Sequence, residues 1–480
     1  MNILTIDQGT TGTKALIVNK AGRIVKSAYR EFTQIYPQPG WVEHDPEEIW
    51  QTVVATIEEV MHDFGDQIST VGISNQRETV VIWDRDTGKP LYNAIVWQCR
   101  RTSAICNSLK PYKDLIRKIT GLPLDAYFSG TKIKWLIENL DKFEPAKICV
   151  GTIDSWLIWN LTTQNHFTDY TNASRTMLYD IRKKRWSKEM CELLEIPMEI
   201  LPKVRKSSAD FGKISSIPAL RNVPINGVAG DQQAALFGQR GFTKSQVKNT
   251  YGTGCFILMN LGEEFVLSEK GLITTLAVNK EGEPCYALEG SVFIAGAVIQ
   301  WLRDEMNLIK NVNESASAAK AVTDNGGVYF VPAFVGLGAP YWNMQARGMI
   351  TGITRGTGKN HLIRAALESI AYQNYDVIQT MQAETDLKVS QLLADGGATA
   401  NDFLMQFQSD ILDIPLLKSG EKETTALGAA YLAGLYQGIW NIDEVISFKD
   451  KTEKIFPKMK REERDRLITG WKEAISKVLK

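Results

Sequence analysis

The sequence predicts a two-domain α/β protein whose halves begin alike and face a common cleft. Three observations predict it. Each half opens with an apolar strand running into a turn dense in Gly and Thr, first at Ile3-Leu4-Thr5-Ile6-Asp7-Gln8-Gly9-Thr10-Thr11 and again at Asn249-Thr250-Tyr251-Gly252-Thr253-Gly254-Cys255. The composition breaks near residues 239–246, where Arg240, Gly241 and Lys244 replace apolar residues. A chain of 480 residues also exceeds what one hydrophobic core serves. The expected division is 1–243 and 244–480.

In the first half, Thr5-Ile6 starts a hairpin whose second strand, Ala15-Leu16-Ile17-Val18, turns at residues 19–22. Helical periodicity runs over 47–63 after Pro46, a residue suited to a first helical turn. Val71-Gly72-Ile73-Ser74 reads as a strand; a second, 80–83, turns at Asp86-Thr87-Gly88 and returns. The second half restarts with its Gly-Thr hairpin. Helices are expected at 295–305 and 361–382, then a strand Leu392-Leu393-Ala394 ending in Asp395-Gly396-Gly397-Ala398, then a helix at 402–412. There is no short repeat or low-complexity tract, and the lysine-rich stretch 449–460 reads as a solvated face.

Composition removes several function classes. Formal net charge is zero, so nothing electrostatic recommends nucleic acid or a membrane surface as partner. No apolar run approaches the roughly 20 residues that span a bilayer, and the amino terminus enters a strand directly, so no signal peptide is expected. Six cysteines without a Cys-x-x-Cys pair read as buried, reduced thiols of a cytoplasmic protein. The four histidines, 44, 62, 166 and 361, assemble no zinc cluster, and none neighbours the acid discussed next.

Asp231 lies in Val228-Ala229-Gly230-Asp231-Gln232-Gln233-Ala234-Ala235, where an apolar segment ends and a small-residue helical pattern begins. A carboxylate there sits at a strand's carboxyl end and above a helix N-terminus, a place for a catalytic base. Alone, the run reads more readily as a helix N-cap than as a base, since an acid after glycine more often serves as a cap. The two Gly-Thr turns favour the base. Phosphate needs several donors at close approach, and glycine lets backbone N–H groups come near. Asp7 adds a carboxylate able to hold Mg²⁺ directly or through water, and Lys14 a point charge for phosphate. A P-loop is excluded: residues 352–359 have one residue too many between glycines, and Asn360 follows the lysine.

Two longer motifs carry a resemblance: residues 127–139, YFSGTKIKWLIEN, and residues 348–368, GMITGITRGTGKNHLIRAALE. With Ser74-Asn75-Gln76-Arg77-Glu78-Thr79, Ala94-Ile95-Val96-Trp97-Gln98, residues 169–176 and Gly230-Asp231-Gln232-Gln233, they make the chain resemble the FGGY family of carbohydrate kinases from Asp7 to about Gly438. The resemblance implies an actin-like pair of ribonuclease-H-type domains. It implies ATP-dependent phosphorylation of glycerol, with Asp231 as general base. The acceptor site it implies is Arg77, Glu78, Tyr127, Asp231 and Gln232, with Trp97 and Phe256 as the apolar wall. It implies ATP phosphates at Thr10, Thr11, Gly12, Lys14 and Thr253, Mg²⁺ at Asp7, and adenosine near Gly296, Gln300, Gly397 and Asn401. It also implies a homodimer or homotetramer.

Relatives with this acceptor set usually carry Ser or Thr where Gly12 stands and Arg where Lys14 stands, so the phosphate turn departs in detail. Some bear a Gly-Gly-Thr-Arg loop for an inhibitory sugar bisphosphate; residues 218–223, PALRNV, lack its glycines. The competing readings are a kinase of another small polyol such as erythritol and, from a different class, an actin-like ATPase switch without a polyol substrate.

Overall fold

The structure is a computed structural model that describes residues 1–448 and 452–480. A five-stranded sheet runs in the order Ile225–Gly230, Ile68–Asn75, Asn2–Gln8, Gly12–Asn19, Ile24–Glu31. A seven-stranded sheet runs Ile273–Val278, Pro284–Val292, Cys255–Gly262, Val247–Tyr251, Leu392–Asp395, Leu416–Lys418, Glu453–Ile455. Both are built by one rule. A hairpin gives two antiparallel strands, and a later strand joins the hairpin's first strand in parallel: Ile68–Asn75 beside Asn2–Gln8, and Leu392–Asp395 beside Val247–Tyr251. Parallel addition needs a crossover, which the helices Pro46–Met61 and Lys359–Thr385 supply. The sheets differ on the far side of the hairpin, where Pro284–Val292 pairs with Cys255–Gly262 and the earlier strand Ile273–Val278 lies outside it.

Local signals account for the element ends. Pro46 occupies the first turn of its helix, and the Asp45 carboxylate caps the Glu47 N–H at 2.9 Å. The helices expected at 47–63, 295–305, 361–382 and 402–412 are Pro46–Met61, Gly296–Asp304, Lys359–Thr385 and Asp402–Leu412. Residues 449–451 of the lysine-rich stretch lie outside the described residues; Lys454, Lys458 and Lys460 are exposed. All six cysteines are free, and Cys106 departs from the expectation of burial by being only half-buried. Among the described residues no helix is long and apolar enough to cross a membrane.

The helix Thr424–Tyr436 positions the two halves. Late in the chain, it turns back onto the first sheet and packs against Ile225–Gly230, Ile68–Asn75 and the helix Asp231–Gly238. The approach is close: a Cβ on Gly72 or Gly227 would fall 2.3 or 2.6 Å from the Ala429 carbonyl oxygen. At its head, Glu423 takes the Lys14 ammonium at 2.7 Å, while the Thr424 hydroxyl donates to Asp395. Residues 423–424 thus touch the carboxyl-end region of both sheets.

Candidate active site

Asp231 begins the helix Asp231–Gly238 directly after the strand Ile225–Gly230. Its Oδ1 accepts the Gln232 backbone N–H at 2.7 Å and lies 3.2 Å from Arg77 Nε; its Oδ2 accepts the Gln232 side-chain amide at 3.1 Å. Its side chain is 32% exposed, whereas the charged groups beneath it are buried.

Those groups form a closed network. Arg77 donates through Nη1 to Glu289 Oε2 at 2.6 Å and to Gln233 at 3.1 Å, and through Nη2 to Glu289 Oε1 at 2.9 Å. Arg175 donates to Glu78 Oε1 at 2.6 Å and to Glu289 Oε1 at 3.0 Å. Burial pushes the Glu289 carboxyl up, but the Arg175 and Arg77 guanidiniums more than offset it and hold it at about 2. Glu78, with a single close guanidinium contact, goes the other way: burial raises it. Its backbone is left-handed, φ +61°, a strained state for a glutamate. Ser129 at 3.2 Å and the buried Lys132 ammonium at 3.3 Å donate to its carbonyl and hold it there; burial pulls Lys132 down to about 7.

A small cavity of about 70 Å³ opens above this network, lined by Thr10, Gln76, Arg77, Glu78, Trp97, Tyr127, Asp231 and Phe256. Trp97 meets Tyr127 and Phe256 edge-to-face at 5.6 and 6.3 Å, and its indole N–H donates to the Thr10 hydroxyl at 2.9 Å. Six of the seven expected acceptor residues therefore converge. Gln232 is absent from the lining, its amide being engaged by Asp231 and by Lys248.

A second cavity of about 390 Å³ is lined by Gly252, Thr253, Gly296, Gln300, Gly397 and Asn401 among others. A Cβ on Gly397 would meet nothing within 4 Å, so the backbone there faces open space. The turn between Val247–Tyr251 and Cys255–Gly262 gives Gly252 and Thr253 to this cavity, and Phe256, just beyond it, to the small one. No histidine lines either.

The first Gly-Thr turn is less uniform than expected. Thr10 lines the small cavity, Thr11 is exposed, and Lys14 is paired with Glu423. Gly12 has a local reason: a Cβ would fall 2.5 Å from the Tyr29 ring, which covers the turn. Asp7 accepts the Ser74 hydroxyl at 2.6 Å, and burial lifts its carboxyl to about 6. Among the described residues no three His, Cys, Asp or Glu side chains group to cage a metal. Mg²⁺ needs no such cage, since one or two carboxylates with phosphate and water oxygens suffice, and Asp7 fits that part.

Sequence reasoning assigned no role to Glu289, Lys248, Arg175 or Lys132. Glu289 had a signal, the one charge in the otherwise uncharged and largely apolar strand Pro284–Val292.

Residues 2–238 match the FGGY family of carbohydrate kinases, N-terminal domain, and residues 247–436 match its C-terminal domain. The chain belongs to the FGGY family of carbohydrate kinases, which use ATP, and has their two-domain fold of the actin-like ATPase type. It is 53% identical over 488 residues to glycerol kinase 2 of Thermotoga maritima, covering 99% of this chain and 98% of that one. It is 54% identical over 489 residues to a glycerol kinase of Thermoanaerobacter sp., covering 100% and 98%. Plasmodium falciparum glycerol kinase with ADP is similar at TM-score 0.94 and 39% identity, covering 100% of this chain and 98% of that one.

Proposed function

We propose that this kinase transfers the γ-phosphate of ATP to a primary hydroxyl of glycerol, with Asp231 as general base. The observation that carries the reading is the small cavity. It combines a partly exposed carboxylate, a buried Arg and Glu side by side and an aromatic wall, which suits a short carbon chain bearing several hydroxyls. Glycerol kinases of this similarity along the full chain support the same substrate.

In this reading Trp97 and Phe256 cover the carbon edge, Arg77 and Glu78 hold hydroxyls, and Asp231 accepts the proton of the attacking one. Adenosine occupies the larger cavity at Gly296, Gln300, Gly397 and Asn401, with phosphates along Gly252 and Thr253 toward Thr10, Thr11, Gly12 and Lys14. Asp7 would hold Mg²⁺, which when bound would supply charge neutralisation for the phosphates. The protein's own contribution is positioning and fixed dipoles rather than covalent chemistry. The enzyme is proposed to be cytoplasmic and self-associating as a dimer or tetramer.

A coupled assay over three- to five-carbon polyols tests the substrate: glycerol is expected to give the highest kcat/KM, and ATP hydrolysis without a phosphorylated polyol would overturn the reading. Asp231→Asn tests the base. An amide still hydrogen-bonds but takes no proton, so kcat is expected to fall at least about 10²-fold with glycerol binding retained.

A further inference from the structure

We infer that Lys248 is a positioning residue for the transfer step, acting on Asp231 through the side-chain amide of Gln232. Lys248 lies on the strand Val247–Tyr251, fully buried, and donates to Gln232 Oε1 at 2.5 Å and to the Thr250 hydroxyl at 3.0 Å. No carboxylate forms an ion pair with it among the described residues. Burying an ammonium against neutral oxygens is costly, so core packing alone is a poor reason for lysine at this position.

The chemistry of the contact explains what the charge does. An ammonium only donates, so the face of the Gln232 amide turned to Lys248 must be its oxygen. The NH₂ must then face Asp231, where it donates to Oδ2 at 3.1 Å. Without Lys248 the amide oxygen is left buried without its donor, so the side chain is no longer anchored at that end and is free to swing off Oδ2, which then loses this donor. The other oxygen, Oδ1, is held independently by the Gln232 N–H and Arg77. Lys248 thus fixes one amide orientation, and that amide fixes the rotation of the Asp231 carboxylate. Lys248 also stands on the strand that leads into Gly252 and Thr253, so the base is tied to the turn beside the larger cavity. The Asp395, Asp231 and Glu289 carboxylates around it offset part of its burial, which pulls the ammonium down to about 8.

This rests on Asp231 being the base, and the experiment separates the two. Lys248→Met and Lys248→Gln are compared with Gln232→Leu and with the double variants, at saturating glycerol and ATP. Each Lys248 variant is expected to lower kcat about 10- to 100-fold, as a misplaced catalytic group does. Dissociation constants for glycerol and ADP are expected to stay within about threefold, the scatter of independent sites. Adding either Lys248 substitution to Gln232→Leu is expected to lower kcat no further. Losses that multiply, or wild-type kcat in a folded Lys248 variant, overturn the proposal. If Lys248→Met does not fold, the neutral but polar Lys248→Gln carries the same comparison. A near-normal kcat in Asp231→Asn counts against the base itself; multiplying losses beside an inactive Asp231→Asn count against Lys248 alone.

Discussion

Replacing Glu289 with glutamine removes a carboxylate that two buried guanidiniums share through three contacts of 2.6, 2.9 and 3.0 Å. Breaking one side of such a buried network costs about 3–5 kcal/mol, because the remaining charges stay buried and unpaired. The proton linkage gives a second figure. Glu289 is held at about 2 against an ordinary value of 4.5, and at about 1.4 kcal/mol per unit this amounts to about 3 kcal/mol. The folded-state value is depressed, so the contribution is fully present above pH 4.5 and is lost as pH falls toward 2. Calorimetry on Glu289→Gln at neutral pH is expected to show a melting temperature lower by about 6–20 °C, at 2–4 °C per kcal/mol for domains of this size. The difference from wild type should shrink by more than about a third by pH 3.5, where the wild-type carboxylate no longer contributes in full. A variant melting with the wild type at neutral pH, or a gap that stays constant on acidification, refutes the reasoning.

Three further outcomes follow from the two cavities. Gly397→Val should raise the KM for ATP about 10- to 100-fold through overpacking of about 1–3 kcal/mol, with melting temperature and the glycerol KM unchanged, since its side chain enters open space; steady-state kinetics with each substrate varied checks this. Lys14→Met should lower kcat about 10-fold or more and leave the glycerol KM nearly unmoved, because the half-exposed pair with Glu423 is worth only about 0–1 kcal/mol and gives the lysine no other strong task; equal kcat in the variant and wild type sinks the phosphate role. Small-angle scattering with glycerol and ADP together should give a smaller radius of gyration than the free protein, as the two sheets close over the cleft, and an unchanged radius argues against closure.

Much of the fold was legible because its signals are local. The helix 402–412 is read from periodicity and flanking turn residues, and Asp402–Leu412 is what forms. Strands of two residues, Glu43–His44 and Ala94–Ile95, have no such signature; they exist because they pair with each other. The helix Thr424–Tyr436 is apolar on nearly every side, so no stripe announces which surface it covers, and it packs back onto the first sheet. The site divided in the same way. Asp231, Arg77, Glu78, Trp97, Tyr127 and Phe256 stand in recognisable runs and line one cavity. Lys248 and Glu289 act through partners 16 and 212 residues away, a pairing that only the folded sheets create.

The hydrogen-bond inventory of Arg77 and Glu78 narrows what the small cavity accepts. A guanidinium has five N–H groups. Nη1 spends both on Glu289 and Gln233, Nη2 spends one on Glu289, and Nε faces Asp231. One Nη2 hydrogen is left. On Glu78, Oε1 accepts from Arg175, while Oε2 accepts no hydrogen bond among the described residues. The cavity thus has one strong donor and one strong acceptor unmet on adjacent residues, beside the Asp231 carboxylate. A hydroxyl both donates and accepts, so neighbouring hydroxyls satisfy all three groups, whereas a simple alcohol leaves a buried charge without its partner. Site groups left unpaired in this way reject an analogue far more strongly than a missing methylene does. On this reading selectivity against an alcohol with a single hydroxyl, such as propan-1-ol, is a property of the buried network, set by Glu289 and Arg175, which do not line the cavity.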